Sequence, residues 1–394
     1  MSSSIKDRTA GNYTLQNKVK LVRGGKEYFD VLEGLINNAH TTIHLQTYIF
    51  NEDKTGNRLI NSLLKAARRG VQVYIVLDGY ASRNISKTCI ENLKSAGIHF
   101  RWFNPIFKSR YFYFGRRLHH KVVVTDAFGG LVGGVNITDR YNDLEEPAWL
   151  DWALYVQGEV SFNLHMICAD IWNKSMWGKQ LRTRFILPVK RLTPGKSCMV
   201  RTRINDWVRG KKQISKTYLE MLKQARHSVI IMSSYFLPGI LIKKQLSIAA
   251  KRGVKIKIIA AGVSDIHLAK QAERYMYSWL FKNNIEIYEY KKSILHGKIS
   301  TCDERFVTVG SYNINNVSAY ASIELNLDVR DASFAKKTAE ALQRIINEDC
   351  IQITEAEYNR KKTFFLRLWQ RICFDSYRVI LYVFTFYFKK RHGL

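Results

Sequence analysis

The sequence predicts an α/β protein made of two tandem copies of one unit, facing each other across a shared site. Three observations predict this. First, His119-x-Lys121, four residues, Asp126, six residues, Gly133-Gly134-x-Asn136 returns as His296-x-Lys298, four residues, Asp303, six residues, Gly310-Ser311-x-Asn313. Second, strand-like and helix-like stretches alternate ahead of each copy, as in parallel strand pairs joined by helices. Third, landmarks recur in one order: Tyr48-Ile49-Phe50 as Tyr235-Phe236-Leu237, Arg68-Arg69-Gly70 as Lys251-Arg252-Gly253, and His119 as His296. The offset between partners drifts only by loop lengths, so the pattern is a single duplication and not a short-period solenoid.

Taken in order, Lys20 to Val22 reads as a short strand, followed by an amphipathic helix with Phe29, Leu32, Leu35 and Ile36 at helical spacing. TTIHLQTYIF is rich in β-branched and aromatic residues and reads as a strand. NRLINSLLKAARRG reads as a helix closed by Gly70. VQVYIVLDGY reads as a buried strand ending at Asp78, ISKTCIENLKSAG as a helix and IHFRWF as a strand. In the second half YLEMLKQARH, SVIIMSSYFLP, IKKQLSIAAKRG and VKIKIIAAG repeat the helix, strand, helix, strand order. The join falls around Pro188, Pro194 and Gly195, which divides the chain into 1–187, 188–359 and a tail, 360–394.

The chain has 394 residues, enough for two ordinary cores, and 46% of it is hydrophobic. A net charge of +29, from 62 basic and 33 acidic residues, calls for an anionic partner, either nucleic acid or an acidic membrane surface. The charge is clustered. Lys174 to Lys212 holds 12 basic residues and one acid, and the tail from Arg360 holds nine and one. In the tail the cations are interleaved with Phe364, Phe365, Leu368, Trp369 and Tyr377, a composition suited to a membrane interface. Phe107 to Phe114 mixes rings and cations in the same way, as an interfacial lip would. The longest apolar run, Val379 to Phe388, is shorter than the about 20 residues that cross a bilayer. No signal-like apolar segment opens the chain, and the six scattered cysteines form neither a disulfide framework nor a zinc motif. A cytoplasmic, peripheral protein is expected.

The chemistry sits in the doubled motif. On a strand, residues two apart share a face, so His119 pairs with Lys121 and His296 with Lys298. LHHKVVV and LHGKIST are read as those strands. An imidazole beside an ammonium offers a nucleophile next to an anion site. Gly134 and Ser311 let the backbone come close to a bound phosphate, and Asn136 and Asn313 add neutral donors. Two such copies suit a phosphodiester, whose five-coordinate transition state gains negative charge that fixed cations and amides stabilise without a metal. One histidine attacks phosphorus; the other protonates the leaving oxygen and then deprotonates the incoming hydroxyl. Each imidazole needs a carboxylate on its far nitrogen. Asp126 and Asp303 belong to the motif, yet the odd step from lysine to aspartate places them in turns, where they steady the turn or the lysine. Asp151 in WLDWALYV and Glu324 in SIELNLDV, each in the strand after its own copy's asparagine, are the better orienting candidates. His120 falls on the opposite strand face and reads as structural, and His44 and His227 as core or edge residues. Asp78 is open to either a turn role or substrate contact.

The two H-x-K-x4-D-x6-G-[GS]-x-N copies resemble the phospholipase D superfamily, over roughly residues 18 to 355. Within it the chain is similar to bacterial cardiolipin synthases of the shorter type without N-terminal transmembrane helices. Tyr48-Ile49-Phe50, Leu77-Asp78-Gly79-Tyr80, Tyr235-Phe236-Leu237-Pro238 and Leu295-His296-Gly297-Lys298 carry that likeness; Gln46 stands where an acid is usual. The resemblance implies mixed sheets flanked by helices, two repeats about a pseudo-twofold axis, and His119, Lys121, Asp126, His296, Lys298 and Asp303 as the catalytic set. It further implies phosphatidyl transfer between phosphatidylglycerols through a phosphatidyl-histidine, with no cofactor and an anionic phospholipid membrane, not nucleic acid, as partner; His119 is taken as the nucleophile, and because a pseudo-twofold site needs no second chain, activity as a monomer is expected. Hydrolysis of the lipid, or cleavage of a polynucleotide by the same site, is the alternative.

Overall fold

The computed structural model of the protein describes residues 12–105, 116–173, 197–361 and 363–382. The first repeat runs β1 (Asn17–Arg23), α1 (Lys26–Asn37), β2 (Thr42–Thr47), α2 (Lys54–Arg68), β3 (Gln72–Asp78), α3 (Lys87–Ser95), β4 (His99–Phe103), β5 (Arg117–Leu118), β6 (Lys121–Thr125), β7 (Gly129–Gly133), β8 (Trp152–Gly158) and α4 (Glu159–Asn173). The second opens with β9 (Met199–Asp206), β10 (Lys211–Lys212), α5 (Gln213–Gln224), β11 (Ser228–Ser233), α6 (Ile240–Lys251), β12 (Lys255–Ala261), α7 (His267–Tyr275), α8 (Tyr277–Lys282) and β13 (Glu286–Tyr290). It closes with β14 (Lys298–Cys302), β15 (Phe306–Gly310), α9 (Asn316–Tyr320), β16 (Ser322–Arg330), α10 (Ala332–Asp349), β17 (Cys350–Ile353), α11 (Glu355–Lys361) and α12 (Phe364–Tyr382). The join, the 187/188 boundary and the Phe107 to Phe114 stretch lie outside the described residues.

Local sequence explains the elements. In α1 the apolar positions recur at helical spacing, and Phe29, Leu32, Leu35 and Ile36 are buried. Asp53 caps α2 by accepting the Gly56 N–H, and Ser86 caps α3 by accepting that of Cys89. Gly70 and Gly253, both at φ +86°, end the equivalent helices α2 and α6 in the left-handed conformation. KVVVT of β6 is buried throughout, as expected of a strand covered on both faces.

The sheets report the duplication directly. The first has the order β1-β8-β7-β6-β2-β3-β4, and the second contains the equivalent path β9-β16-β15-β14-β11-β12-β13, extended by β10 and β17 at its edges. In each, three strands are parallel (β2, β3, β4; β11, β12, β13) and the other strands along these paths pair antiparallel, so both sheets are mixed. The sheets face each other. Val122, Val132 and Leu154 of the first share one core with Ile299, Val309, Leu325 and Leu327 of the second. The helices α1, α2 and α3 cover the outer face of the first sheet, and α5, α6 and α8 that of the second.

The strands β6 and β14 begin at the motif lysines, so His119 and His296 precede the strands that the sequence assigned them to. The reason is that their backbones pair with the opposite repeat. β5 lies parallel to β16, with Leu118 opposite Ile323, and the His119 N–H donates to the Ile323 carbonyl at 3.1 Å. In the same way the Leu150 N–H donates to Ile294, and the His296 N–H donates to Leu150 at 2.8 Å.

Candidate active site

These crossed backbone pairs decide which carboxylate meets which histidine. His119 is bonded to Ile323, so its ring reaches the next residue, Glu324; His296 is bonded to Leu150 and reaches Asp151. His119 Nδ1 lies 3.0 Å from Glu324, and His296 Nδ1 lies 2.6 Å from Asp151 Oδ2. The orienting carboxylates are the two expected residues, but each serves the histidine of the other repeat. With Nδ1 donating to a carboxylate, Nε2 of each ring keeps its lone pair. Both carboxylates are fully buried, while the His119 and His296 side chains are 18% and 10% exposed, so the imidazoles line the opening and the acids sit behind them.

The lysines complete the cluster. Lys298 Nζ donates to Ser234 Oγ at 3.0 Å and lies 3.9 Å from Asp151. Lys121 Nζ donates to the His119 carbonyl at 2.5 Å and lies 5.2 Å from the centre of the Tyr48 ring. Burial lowers both ammonium groups, Lys121 to about 7 and Lys298 to about 8, against the pull of Glu324 and Asp151. Burial also lowers His119, and with the Lys298, Lys121 and His119 charges it takes His296 well below the ordinary histidine value. Both shifts favour the neutral imidazole, the form a nitrogen nucleophile requires. Burial raises Asp151 to about 6 and pushes Glu324 upward too, but His119, Lys121 and the Ser311 hydroxyl hold Glu324 below its usual value.

The remaining expected residues divide. Asp126 and Asp303 stand at the far ends of β6 and β14. Asp126 accepts the N–H groups of His40, Thr41 and Thr42, and Asp303 those of Arg226, His227 and Ser228. Their carboxylates lock the loops before β2 and β11 and take no part in the imidazole cluster. Asn136 is engaged within the first repeat, accepting from the Ile49 N–H and donating to the Tyr141 hydroxyl. Asn313 accepts from Ser234 Oγ through its carbonyl oxygen, which leaves its NH2 as the end that can face a phosphate. Gly134 and Ser311 both lie against the orienting carboxylates. A Cβ at Gly134 would lie 2.4 Å from Asp151 Oδ1, and Ser311 Oγ donates to Glu324 at 2.5 Å. His120 is buried against the Gln46 side chain at 2.9 Å, and Gln46 donates onward to the Cys168 carbonyl, so the amide at position 46 has a neutral structural task. Asp78 accepts the N–H groups of Tyr80, Ala81 and Leu118, and so steadies the segment leading into His119.

Sequence reasoning did not find the aromatic walls. The Tyr48 ring meets His119 edge-on at 4.9 Å and the Tyr141 ring meets His296 edge-on at 5.2 Å. Tyr48 and Tyr235 were visible as repeat landmarks, but no spacing rule pointed to Tyr141 or to Asp265, which accepts from the Tyr235 hydroxyl. Among the described residues, no group of three or more His, Cys, Asp or Glu side chains is placed to hold a metal ion.

A family model described as "Cardiolipin synthase, PLD-like domain" matches residues 32–150 and 218–346. Cardiolipin synthase B of Salmonella typhimurium is 33% identical over 350 residues, covering 86% of this chain and 83% of the relative. Cardiolipin synthase B of Escherichia coli (strain K12) is 33% identical over 348 residues with the same coverage. Cardiolipin synthase 1 of Bacillus cereus is 28% identical over 350 residues, covering 86% and 68%. In three dimensions the chain is similar to phosphatidylserine synthase of Haemophilus influenzae, with a TM-score of 0.73 at 12% identity over 94% of this chain and 96% of that one, a likeness of fold. The chain belongs to the cardiolipin synthase family of phospholipase D-like enzymes.

Proposed function

We propose that the protein joins two phosphatidylglycerols into cardiolipin, releasing glycerol, at a site made by His119, Lys121, His296 and Lys298 with Glu324 and Asp151 behind them. His119 Nε2 attacks the phosphorus, the bond to the head-group glycerol oxygen breaks, and protonated His296 gives that oxygen its proton. Burial and the lysines favour the neutral form of His296; the arriving phosphodiester anion and Asp151 favour its protonated form, the proton being taken up from water as the lipid binds. The hydroxyl of a second phosphatidylglycerol then gives its proton to His296 and attacks the phosphatidyl-histidine. The P–N bond breaks and His119 is restored. Lys121, Lys298 and the Asn313 amide face the charge that grows on the phosphoryl oxygens. The observation that carries the reading is the crossed pair of carboxylate-bound imidazoles in one cluster with two buried lysines.

One chain supplies both histidines, both lysines and both carboxylates, which supports activity as a monomer. A peripheral position on the cytoplasmic face of the membrane is part of the same reading. No helix among the described residues is long and apolar enough to cross a membrane. The test is to incubate the protein with phosphatidylglycerol vesicles in chelator and identify the lipids by mass spectrometry. Cardiolipin with released glycerol is expected. Phosphatidic acid alone would replace transfer by hydrolysis, and unchanged lipid would turn attention to a polynucleotide substrate, which the +29 charge favours.

A further inference from the structure

Helix α12 has two apolar faces, and among the described residues only one of them is packed. Cys373, Phe374 and Tyr377 pack with Leu237, Leu268, Ala272, Met276 and Trp279. On the same side Gln370 is buried and donates to Gln271, and the Phe374 ring lies 5.2 Å from that of Tyr275. The other face carries Phe365 (79% exposed), Leu368, Trp369, Ile372 and Val379, all exposed. At 3.6 residues per turn these five fall within about 100° of arc, on the side away from the packed residues. Arg367, Arg371 and Arg378 fall within about 40° of one another along one border of that arc. Asp375, the single acid of the helix, lies 3.7 Å from Arg371 and 3.9 Å from Arg378.

Exposed apolar residues also stand next in sequence to elements that the packed face of α12 and the site share. Ile240 (82% exposed) and Leu241 start α6, directly after Tyr235-Phe236-Leu237-Pro238-Gly239, and Val263 and Ile266 flank Asp265. Burial, Asp265, Tyr141 and Tyr377 of α12 all raise the Tyr235 hydroxyl, and Tyr141 is the ring against His296. The packed face of α12 thus adjoins the site.

We propose that the outer face of α12, with Ile240, Leu241, Val263 and Ile266, is the surface by which the protein lies on an anionic phospholipid bilayer, with α12 parallel to the membrane plane and the site opening toward the lipid. The apolar stripe enters the acyl boundary and the arginine border meets lipid phosphates, the arrangement of an in-plane amphipathic helix. The chain's charge of +29 complements that surface. The inference rests on the lipid reading of the site for its purpose, but binding is measured without turnover.

Removing the tail would also uncover Leu237 and Met276, so the test changes only the outer face: Phe365→Ser, Leu368→Ser, Trp369→Ser and Ile372→Ser together. Co-sedimentation is measured with vesicles of phosphatidylcholine, with and without phosphatidylglycerol, beside light scattering in solution. The parent is expected to sediment with the phosphatidylglycerol-containing vesicles and the variant to lose about tenfold or more of that binding. Activity on a short-chain, monodisperse phosphatidylglycerol is expected to stay at the parent level. Unchanged sedimentation of a folded variant overturns the proposal. So does a parent dimer that the variant breaks apart while vesicle binding persists, which would assign the face to a second copy. If the parent binds vesicles but turns over no phospholipid, the docking surface stands and the proposed reaction falls.

Discussion

Gly134 and Ser311 occupy the same place in the two motifs and serve the two carboxylates differently. At Gly134 there is no room for a methyl group beside Asp151, whereas Ser311 fills the equivalent space with a hydroxyl bonded to Glu324. Gly134→Ala is therefore expected to displace Asp151 from His296 and cost about 10²-fold in kcat with a nearly unchanged Tm, since the loss is one of orientation. Ser311→Ala keeps the space and removes only the hydrogen bond, so its loss should be smaller. Activity assays beside thermal unfolding check both.

The lysines set a pH limit at this scale. Opposite charge favours the protonated ammonium, so Lys121 at about 7 and Lys298 at about 8 in the free protein should rise when a phosphodiester anion binds. The expected profile has kcat/KM falling as pH rises through about 7 to 8, while the matching limb of kcat lies at higher pH. Arginine at both positions should abolish that falling limb if the fold accepts it, because guanidinium stays charged.

Much of this residue-scale chemistry was legible. Fixed spacing exposed both histidines and both lysines, and strand position after each asparagine exposed Asp151 and Glu324. Which carboxylate meets which imidazole was not legible, because β5 pairing with β16 and Leu150 pairing with Ile294 are contacts between distant parts of the chain. Tyr141 escaped notice for the same reason: nothing in DRYND distinguishes a ring that packs on a histidine of the other repeat.

At the scale of elements, the hairpins β6-β7 and β14-β15 turn on Asp126-Ala127 and Asp303-Glu304, all four at φ +51° to +52°. The Phe128 N–H donates to Thr125 and the Arg305 N–H to Cys302, closing a β-turn on the two left-handed residues, and three residues connect the paired Thr125 and Gly129, as they do Cys302 and Phe306. The odd step from lysine to aspartate anticipated the turn. It did not reveal the second task of the carboxylates, which is to collect three backbone N–H groups from the loop before the neighbouring strand. Asp126→Ala should leave those donors short of a partner and cost about 1–3 kcal/mol of stability. The measurement is a denaturant midpoint together with activity below the transition. A lower midpoint with activity retained is expected; loss of activity in a fully folded variant would return Asp126 to the chemistry.

At the scale of the molecule, the matching strand orders of the two sheets put equivalent strand ends opposite each other, and the shared core between the sheets fixes that register. The duplication and its α/β class were readable from landmarks and periodicity. That the two copies face each other was expected from the doubled motif; which strands form the shared core was not legible, since a buried strand such as KVVVT reads alike whatever covers it. A site divided in this way needs both halves in every cycle. His119→Ala and His296→Ala should each lower turnover of phosphatidylglycerol by about 10³-fold or more, measured as cardiolipin formed.

The two histidines can be separated by a substrate whose leaving group needs no acid. Phosphatidyl p-nitrophenol given to His296→Ala should release one equivalent of nitrophenolate per protein and stop. Mass spectrometry of the digested protein should then find a phosphatidyl group on the peptide that carries His119, and His119→Ala should show neither burst nor adduct. An adduct on His296 in the His119→Ala variant, or steady turnover by His296→Ala with no adduct, would contradict the account of His119 as nucleophile and His296 as the proton carrier opposite it.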